Sequence, residues 1–272
     1  MKNLFTLLVF IGAFTCANAG VVDTVEVHSA AMDKKIKNVI ITPDSYKKSK
    51  GDYPILYLLH GAGGRYDRWI KMMPELQQLV DVYQMVIVCP DAKTSWYFDS
   101  PIDKTFQYET YVAKELVGYM NKKYRIAKET SKHAISGLSM GGHGAFYLAF
   151  KHHDIWGAAG SMSGGVDITP FPFGWNLPKR LGSYADNKKV WEEHSVINML
   201  HLLKWKKPKL IFDCGTSDFF YKQNKALHEK MLYSNIPHDY TERPGGHNAE
   251  YWQNSIKYHL LFFDKVFKEN KR

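Results

Sequence analysis

The stretch ISGLSMGGHGAF, residues 135–146, constrains this chain more than any other part of it. A short apolar run leads to Gly137, then to Ser139 and Met140, then to Gly141 and Gly142, ahead of a helix-like segment. Small residues in that order let a strand end abruptly and turn straight into a helix. The turn lifts Ser139 above the carboxyl ends of a parallel sheet. The flanks fit this reading, with KHAI as the strand and AFYLAF as the first turns of the helix.

Such a turn needs neighbouring strands, and short apolar runs recur along the chain: VVDTVEVHS, KNVIITP, PILYLLHG, MVIVCPD, KHAISG, GAAGSMSG, PKLIFDCG and HDYTERPG. The first two alternate as antiparallel strands do, whereas several later ones are continuously apolar, as in a parallel sheet covered on both faces. Helix-length segments lie between them at 107–124, 141–152, 222–235 and 248–268. Strand and helix therefore alternate, which predicts an α/β architecture with a mostly parallel central sheet flanked by helices. Residues 166–205 break the rhythm. They hold Pro170, Phe171, Pro172, Phe173, Trp175 and Pro178, and a long aromatic insertion of this kind commonly shapes a binding site.

The first residues read differently. Lys2, the apolar run from Leu4 to Phe14 and the Ala17-Asn18-Ala19 ending predict a secretory signal peptide over 1–19, too short to be a membrane span, followed by one domain over 20–272. The chain is then expected to be exported, periplasmic or secreted. Cys16 as a lipid attachment point is the weaker reading, because Thr15 is bulkier than the residue such a site prefers. Cys89 and Cys214 end apolar strands and read as buried free thiols. The net charge of +9 raises nucleic acid as a partner, but the lysines come in scattered pairs with no arginine-rich stripe, so no nucleic-acid partner is expected. The histidines are dispersed and no C-x-x-C pair occurs, so no metal is expected, and neither a dinucleotide fingerprint nor a phosphate loop is present.

The chemistry follows from Ser139. GLSMG matches G-x-S-x-G, and a serine hydroxyl becomes a nucleophile only when an imidazole takes its proton and a carboxylate holds that imidazole. In the chain order of the α/β-hydrolase fold, the acid follows a late strand and the histidine comes near the end. LIFDCGTSDFF offers Asp218 in an exit loop, and ERPGGHNAEYW offers His247 before the last helix. Asp213 competes for the acid role, but it lies inside the strand. His143 belongs to the helix after the elbow and reads as packing, and His152 and His153 sit at that helix's end. An oxyanion hole needs two N–H donors. Met140 follows the nucleophile, and the glycine-rich YLLHGAGG supplies the second, assigned to Ala62, with Gly61 and Gly63 as alternatives.

With these residues in hand, the chain resembles the esterase D-like putative esterase family, over about residues 22–268. The resemblance rests on YPILYLLHGAGG, SWYFDSP, ETYVAKEL, GLSMGGHGAFYLA, CGTSDFF and GGHNAEYW. That group includes S-formylglutathione hydrolases, tributyrin-type short-chain esterases, feruloyl and acetylxylan esterases, and mycolyltransferases. The resemblance implies a cofactor-free serine carboxylesterase with Ser139 as nucleophile, Asp218 as acid, His247 as base, and Ala62 and Met140 as oxyanion donors. It also places Trp96 and Tyr97, in SWYFDSP, on the substrate side of the pocket. The implied substrate is a small-molecule or oligosaccharide ester. Export sets the chain apart from the cytosolic S-formylglutathione hydrolases.

Overall fold

A computed structural model describes residues 20–203 and 208–269. The predicted signal peptide, with Cys16, lies outside the described residues. All eight apolar runs form strands: β1 (Val21–Ser29), β2 (Lys34–Thr42), β3 (Ile55–Leu59), β4 (Val86–Pro90), β5 (His133–Leu138), β6 (Ala158–Met162), β7 (Lys209–Gly215) and β8 (Asp239–Arg243). They make one sheet in the order β1-β2-β4-β3-β5-β6-β7-β8. The β1–β2 and β2–β4 pairs are antiparallel and the other pairs are parallel. The antiparallel edge coincides with the two segments whose sequence alternates, and β3 to β6, at the centre, are buried at every position.

The helices are α1 (Arg68–Met72), α2 (Leu76–Tyr83), α3 (Tyr108–Thr110), α4 (Val117–Lys123), α5 (Met140–Lys151), α6 (Leu177–Leu181), α7 (Lys188–Glu193), α8 (Tyr221–Tyr233) and α9 (Ala249–Glu269). A π-helical stretch, Tyr111–Leu116, joins α3 to α4. The four predicted helices correspond to α3–α4, α5, α8 and α9. The short helices α1, α2, α6 and α7 were not foreseen, since five to eight residues are too few to establish an amphipathic period.

Because side chains alternate across a strand, β3 divides its residues between two cores. Ile55, Tyr57 and Leu59 join one with Phe146 and Phe150 of α5 and Leu227 of α8. Leu56 and Leu58 join the other with Trp69 of α1, Val80 of α2 and Ile256 and Phe263 of α9. The sheet is thus covered on both faces, and the loops leaving the carboxyl ends of β3, β5, β7 and β8 converge on one edge of the molecule. Among the described residues no helix is long and apolar enough to cross a membrane.

Candidate active site

The turn after β5 determines the rest of the site. Gly137 and Gly141 are packed so closely that a methyl on Gly137 would lie 2.5 Å from the Gly141 carbonyl, and one on Gly141 would lie 2.6 Å from the Leu59 carbonyl oxygen. Any side chain at either position would push α5 away from β3. Between them Ser139 takes φ 56° and ψ −119°, a conformation that non-glycine residues rarely adopt and that persists only when the surroundings enforce it. The enforcement is visible: the Ser139 N–H donates to the Met162 carbonyl at 2.9 Å, and its own carbonyl accepts from the His143 N–H at 3.0 Å.

Ser139 Oγ lies 2.8 Å from His247 Nε2, and His247 Nδ1 lies 2.8 Å from Asp218 Oδ2. Since a carboxylate only accepts, Nδ1 carries the proton and Nε2 is left free to take one from the hydroxyl. The second carboxylate oxygen accepts from the Phe220 N–H at 2.8 Å. The two loops are also joined to each other, by Thr216 N–H to the Arg243 carbonyl and Ser217 N–H to the Gly245 carbonyl, both at 2.9 Å. Phe219, Phe220 and Trp252 surround the imidazole, with ring centroids 4.2, 5.4 and 4.9 Å away. Ser139, Asp218 and His247 are therefore brought together as the sequence predicts. Asp213, the competing acid, is not at this site; its carboxylate accepts from His259 at 3.0 Å instead.

A cavity of about 260 Å³ opens over Ser139 and His247, walled by Gly61, Ala62, Trp175 and Trp252. Ala62 lies in the turn closed by Gly64 N–H to the Gly61 carbonyl at 3.0 Å. Met140, as the first residue of α5, has no intrahelical acceptor for its N–H. Ala62 thus lines the cavity beside Ser139, and Met140 follows Ser139 directly in the chain.

Trp96 and Tyr97 occupy a layer below. Each has a positive φ, 59° and 62°; both are buried and neither lines the cavity. Direct contact with the ester, the role expected of them, does not fit this placement. The Tyr97 hydroxyl accepts from the His60 N–H at 3.0 Å and donates to the His60 carbonyl at 3.1 Å, holding the start of the glycine-rich turn. Trp96 donates from Nε1 to the Trp175 carbonyl at 3.3 Å, and Trp175, like Trp252, lines the cavity. Trp175 comes from the proline- and aromatic-rich insertion.

Two other histidines near the site, His143 and His60, are buried in the packed interior. His143 is buried against Trp96 and Tyr147, and burial lowers its pKa to about 3, so it is neutral. Burial likewise lowers His60, whose Nε2 accepts from the Ala92 N–H at 2.9 Å. Cys89 and Cys214 are free and buried, and burial raises both thiols well above their ordinary range. Arg68, on α1, was missed by the sequence reading. It lines the same cavity and is exposed.

This geometry defines a serine hydrolase of the α/β-hydrolase type. Residues 29–263 match the family described as putative esterase, and the chain belongs to that family. An acetyl esterase from Caldicellulosiruptor saccharolyticus is 26% identical over 226 residues, covering 78% of this chain and 83% of that protein. Among solved structures, a ferulic acid esterase is similar with a TM-score of 0.78 and 27% identity, over 92% of this chain and all of that one. An S-formylglutathione hydrolase from Staphylococcus aureus shares the fold with a TM-score of 0.81 at 21% identity, over 91% of this chain and 100% of its own.

Proposed function

We propose that the chain is an exported serine carboxylesterase that hydrolyses short acyl or hydroxycinnamoyl esters of the kind carried by plant polysaccharides. The observation that carries this reading is the unbroken line from Asp218 through His247 to Ser139 Oγ, ending in a small cavity. In this reading Ser139 Oγ attacks the ester carbonyl carbon while His247 Nε2 takes the hydroxyl proton. The oxyanion that forms is held by the N–H groups of Ala62 and Met140. The intermediate collapses, the alcohol leaves with the proton returned by His247, and a water molecule attacks the acyl-enzyme by the same steps. Asp218 keeps the imidazole in the required tautomer throughout.

Cavity size and lining support the substrate class. At about 260 Å³ the space suits an acyl group rather than a whole glycoside. Trp175, 37% exposed, stacks on the exposed Phe219 at 5.6 Å and offers a flat apolar surface beside the opening, suited to a phenolic or sugar ring. Likeness to an acetyl esterase and a ferulic acid esterase points the same way. A second reading, an S-formylglutathione hydrolase or general short-chain esterase, is favoured by Arg68. Its guanidinium would meet the carboxylates that glutathione carries.

The test is turnover of p-nitrophenyl acetate, methyl ferulate, acetylated xylooligosaccharide and S-formylglutathione by wild type and Ser139→Ala. Release of acetate or ferulate from the carbohydrate and ferulate substrates is expected, abolished in the variant. Rapid cleavage of the thioester alone would favour the second reading, and equal turnover by both proteins would remove the esterase reading altogether.

A further inference from the structure

Beneath the catalytic line lies another built from the same three residue types. Ser136 Oγ is hydrogen-bonded to His259 Nδ1 at 3.0 Å, and His259 Nε2 donates to Asp213 Oδ2 at 3.0 Å. Arg243 Nη2 stands 3.1 Å from the same carboxylate oxygen and donates to Ser255 Oγ at 3.0 Å, and Ser255 closes the ring by donating to Asp213. Ser136, Ser255 and His259 are fully buried and Asp213 nearly so, leaving substrate no path to them. Burial works against ionisation of Asp213, but His259, Arg243 and Ser255 outweigh it and hold the carboxyl below its ordinary value.

The placement of these residues is what gives the network a use. Ser136 stands on β5, three residues before Ser139. Asp213 stands on β7, five residues before Asp218. Arg243, at the end of β8, precedes His247 by four residues, and Ser255 and His259 stand on α9, which begins just after it. Each catalytic side chain is thus carried on the exit or the approach of an element that the network grips. Gly160, on β6, is paired with Ser136 and faces the same contact. A methyl there would lie 2.8 Å from Ser136 Oγ and would collide with His259 Nδ1, so the strand between the partners carries no side chain where they meet.

We propose that Ser136, His259 and Asp213, with Arg243 and Ser255, form a positioning network that fixes α9 and β8 against β5 and β7 and thereby sets the spacing of Ser139, His247 and Asp218. The network touches no substrate and acts only through the elements it joins. A displacement of about 1 Å between reacting groups can cost on the order of 100-fold in rate, so a small shift of α9 along the sheet is enough to disable the line above it.

The variants are Ser136→Ala, His259→Gln and Gly160→Ala, with Leu227→Ala as a control that destabilises the opposite core. Active sites are counted by covalent labelling with a fluorophosphonate, so that turnover is expressed per competent molecule, and thermal midpoints are recorded alongside. The three network variants are expected to lose about 10- to 100-fold in kcat per labelled site with KM within about threefold of wild type. Leu227→Ala is expected to lose stability while keeping its kcat per site. Ser136→Ala combined with Gly160→Ala is expected to lose less than the product of the single losses, since both break one contact. Network variants that are less stable yet turn over at the wild-type rate per site would overturn the proposal, as would a Leu227→Ala control with the same kcat loss. The inference rests on Ser139 being the nucleophile, and the labelling separates the two: wild type that takes up no fluorophosphonate would sink that reading rather than this one.

Discussion

The line Asp218–His247–Ser139 and the line Asp213–His259–Ser136 use the same three side chains and attach the imidazole in opposite senses. In the first, Nδ1 meets the carboxylate and Nε2 meets the serine; in the second, Nε2 meets the carboxylate and Nδ1 the serine. Hydrogen-bond lengths hardly differ, so they do not separate a catalytic line from a structural one. The setting of the serine does. Ser136 lies within β5, fully buried, with its backbone in regular register beside Leu58 and Gly160. Ser139 stands on a strained turn, 9% exposed, at the wall of a cavity that the glycine-rich turn Gly61–Gly64 also lines. The hydroxyl, the imidazole and the carboxylate are common to both; access to a cavity belongs to one.

The widest separation between the two lines is expected from the serines themselves. Ser139→Ala should lower kcat by at least about 10⁴-fold, whereas Ser136→Ala should retain turnover within about 100-fold of wild type, both measured on p-nitrophenyl acetate. Comparable losses would dissolve the distinction. The acids come next: Asp218→Asn should cost on the order of 10³- to 10⁴-fold in kcat, because the amide favours the wrong tautomer of His247. Asp213→Asn should lose stability and, as a network variant, about 10- to 100-fold in kcat per labelled site.

The pH dependence of unfolding sharpens that contrast. Asp213 is held below its ordinary value, so its contribution is fully present above the unfolded pKa of about 4 and is lost as pH falls through the lower folded value. The wild-type thermal midpoint should therefore drop more steeply between about pH 5 and pH 3 than that of Asp213→Asn. Parallel curves would show that the buried carboxylate is not ionised in the folded protein. Smaller effects belong to the cavity wall. Trp175→Ala should raise KM for methyl ferulate by about 2- to 10-fold and leave kcat on p-nitrophenyl acetate nearly unchanged. Arg68→Gln should lower kcat/KM for carboxylate-bearing esters by about 2- to 5-fold, with neutral esters unaffected and the difference fading in high salt.

The parts legible in the sequence were those whose chemistry is local. The eight strands announce themselves by apolar runs, and the elbow needs Gly137 and Gly141 because their backbones touch. Asp218 and His247 could be found because each occupies a loop of fixed order after a recognisable strand or before a recognisable helix. The buried line could not be found that way. Ser136, Asp213 and His259 each sit inside a regular element, and only the packing of α9 across β5 and β7 brings them together. Asp213 was visible as a candidate acid; it stands within β7 and meets His259, whereas Asp218 lies in the loop beyond the strand and meets His247. Trp96 and Tyr97 are buried and bond to the backbone of Trp175 and His60 rather than lining the cavity, a placement that depends on tertiary packing. Trp175 lines the cavity instead, from the insertion whose composition did not say which ring would face the site.

The most direct measurement is the site of covalent modification. Wild-type protein labelled with a fluorophosphonate and digested with trypsin should carry one adduct on the peptide spanning 133–151, which contains both Ser136 and Ser139. Fragment ions are expected to place that adduct on Ser139, with none formed in Ser139→Ala. An adduct on Ser136, or labelling that persists in Ser139→Ala, would contradict the assignment of the catalytic line.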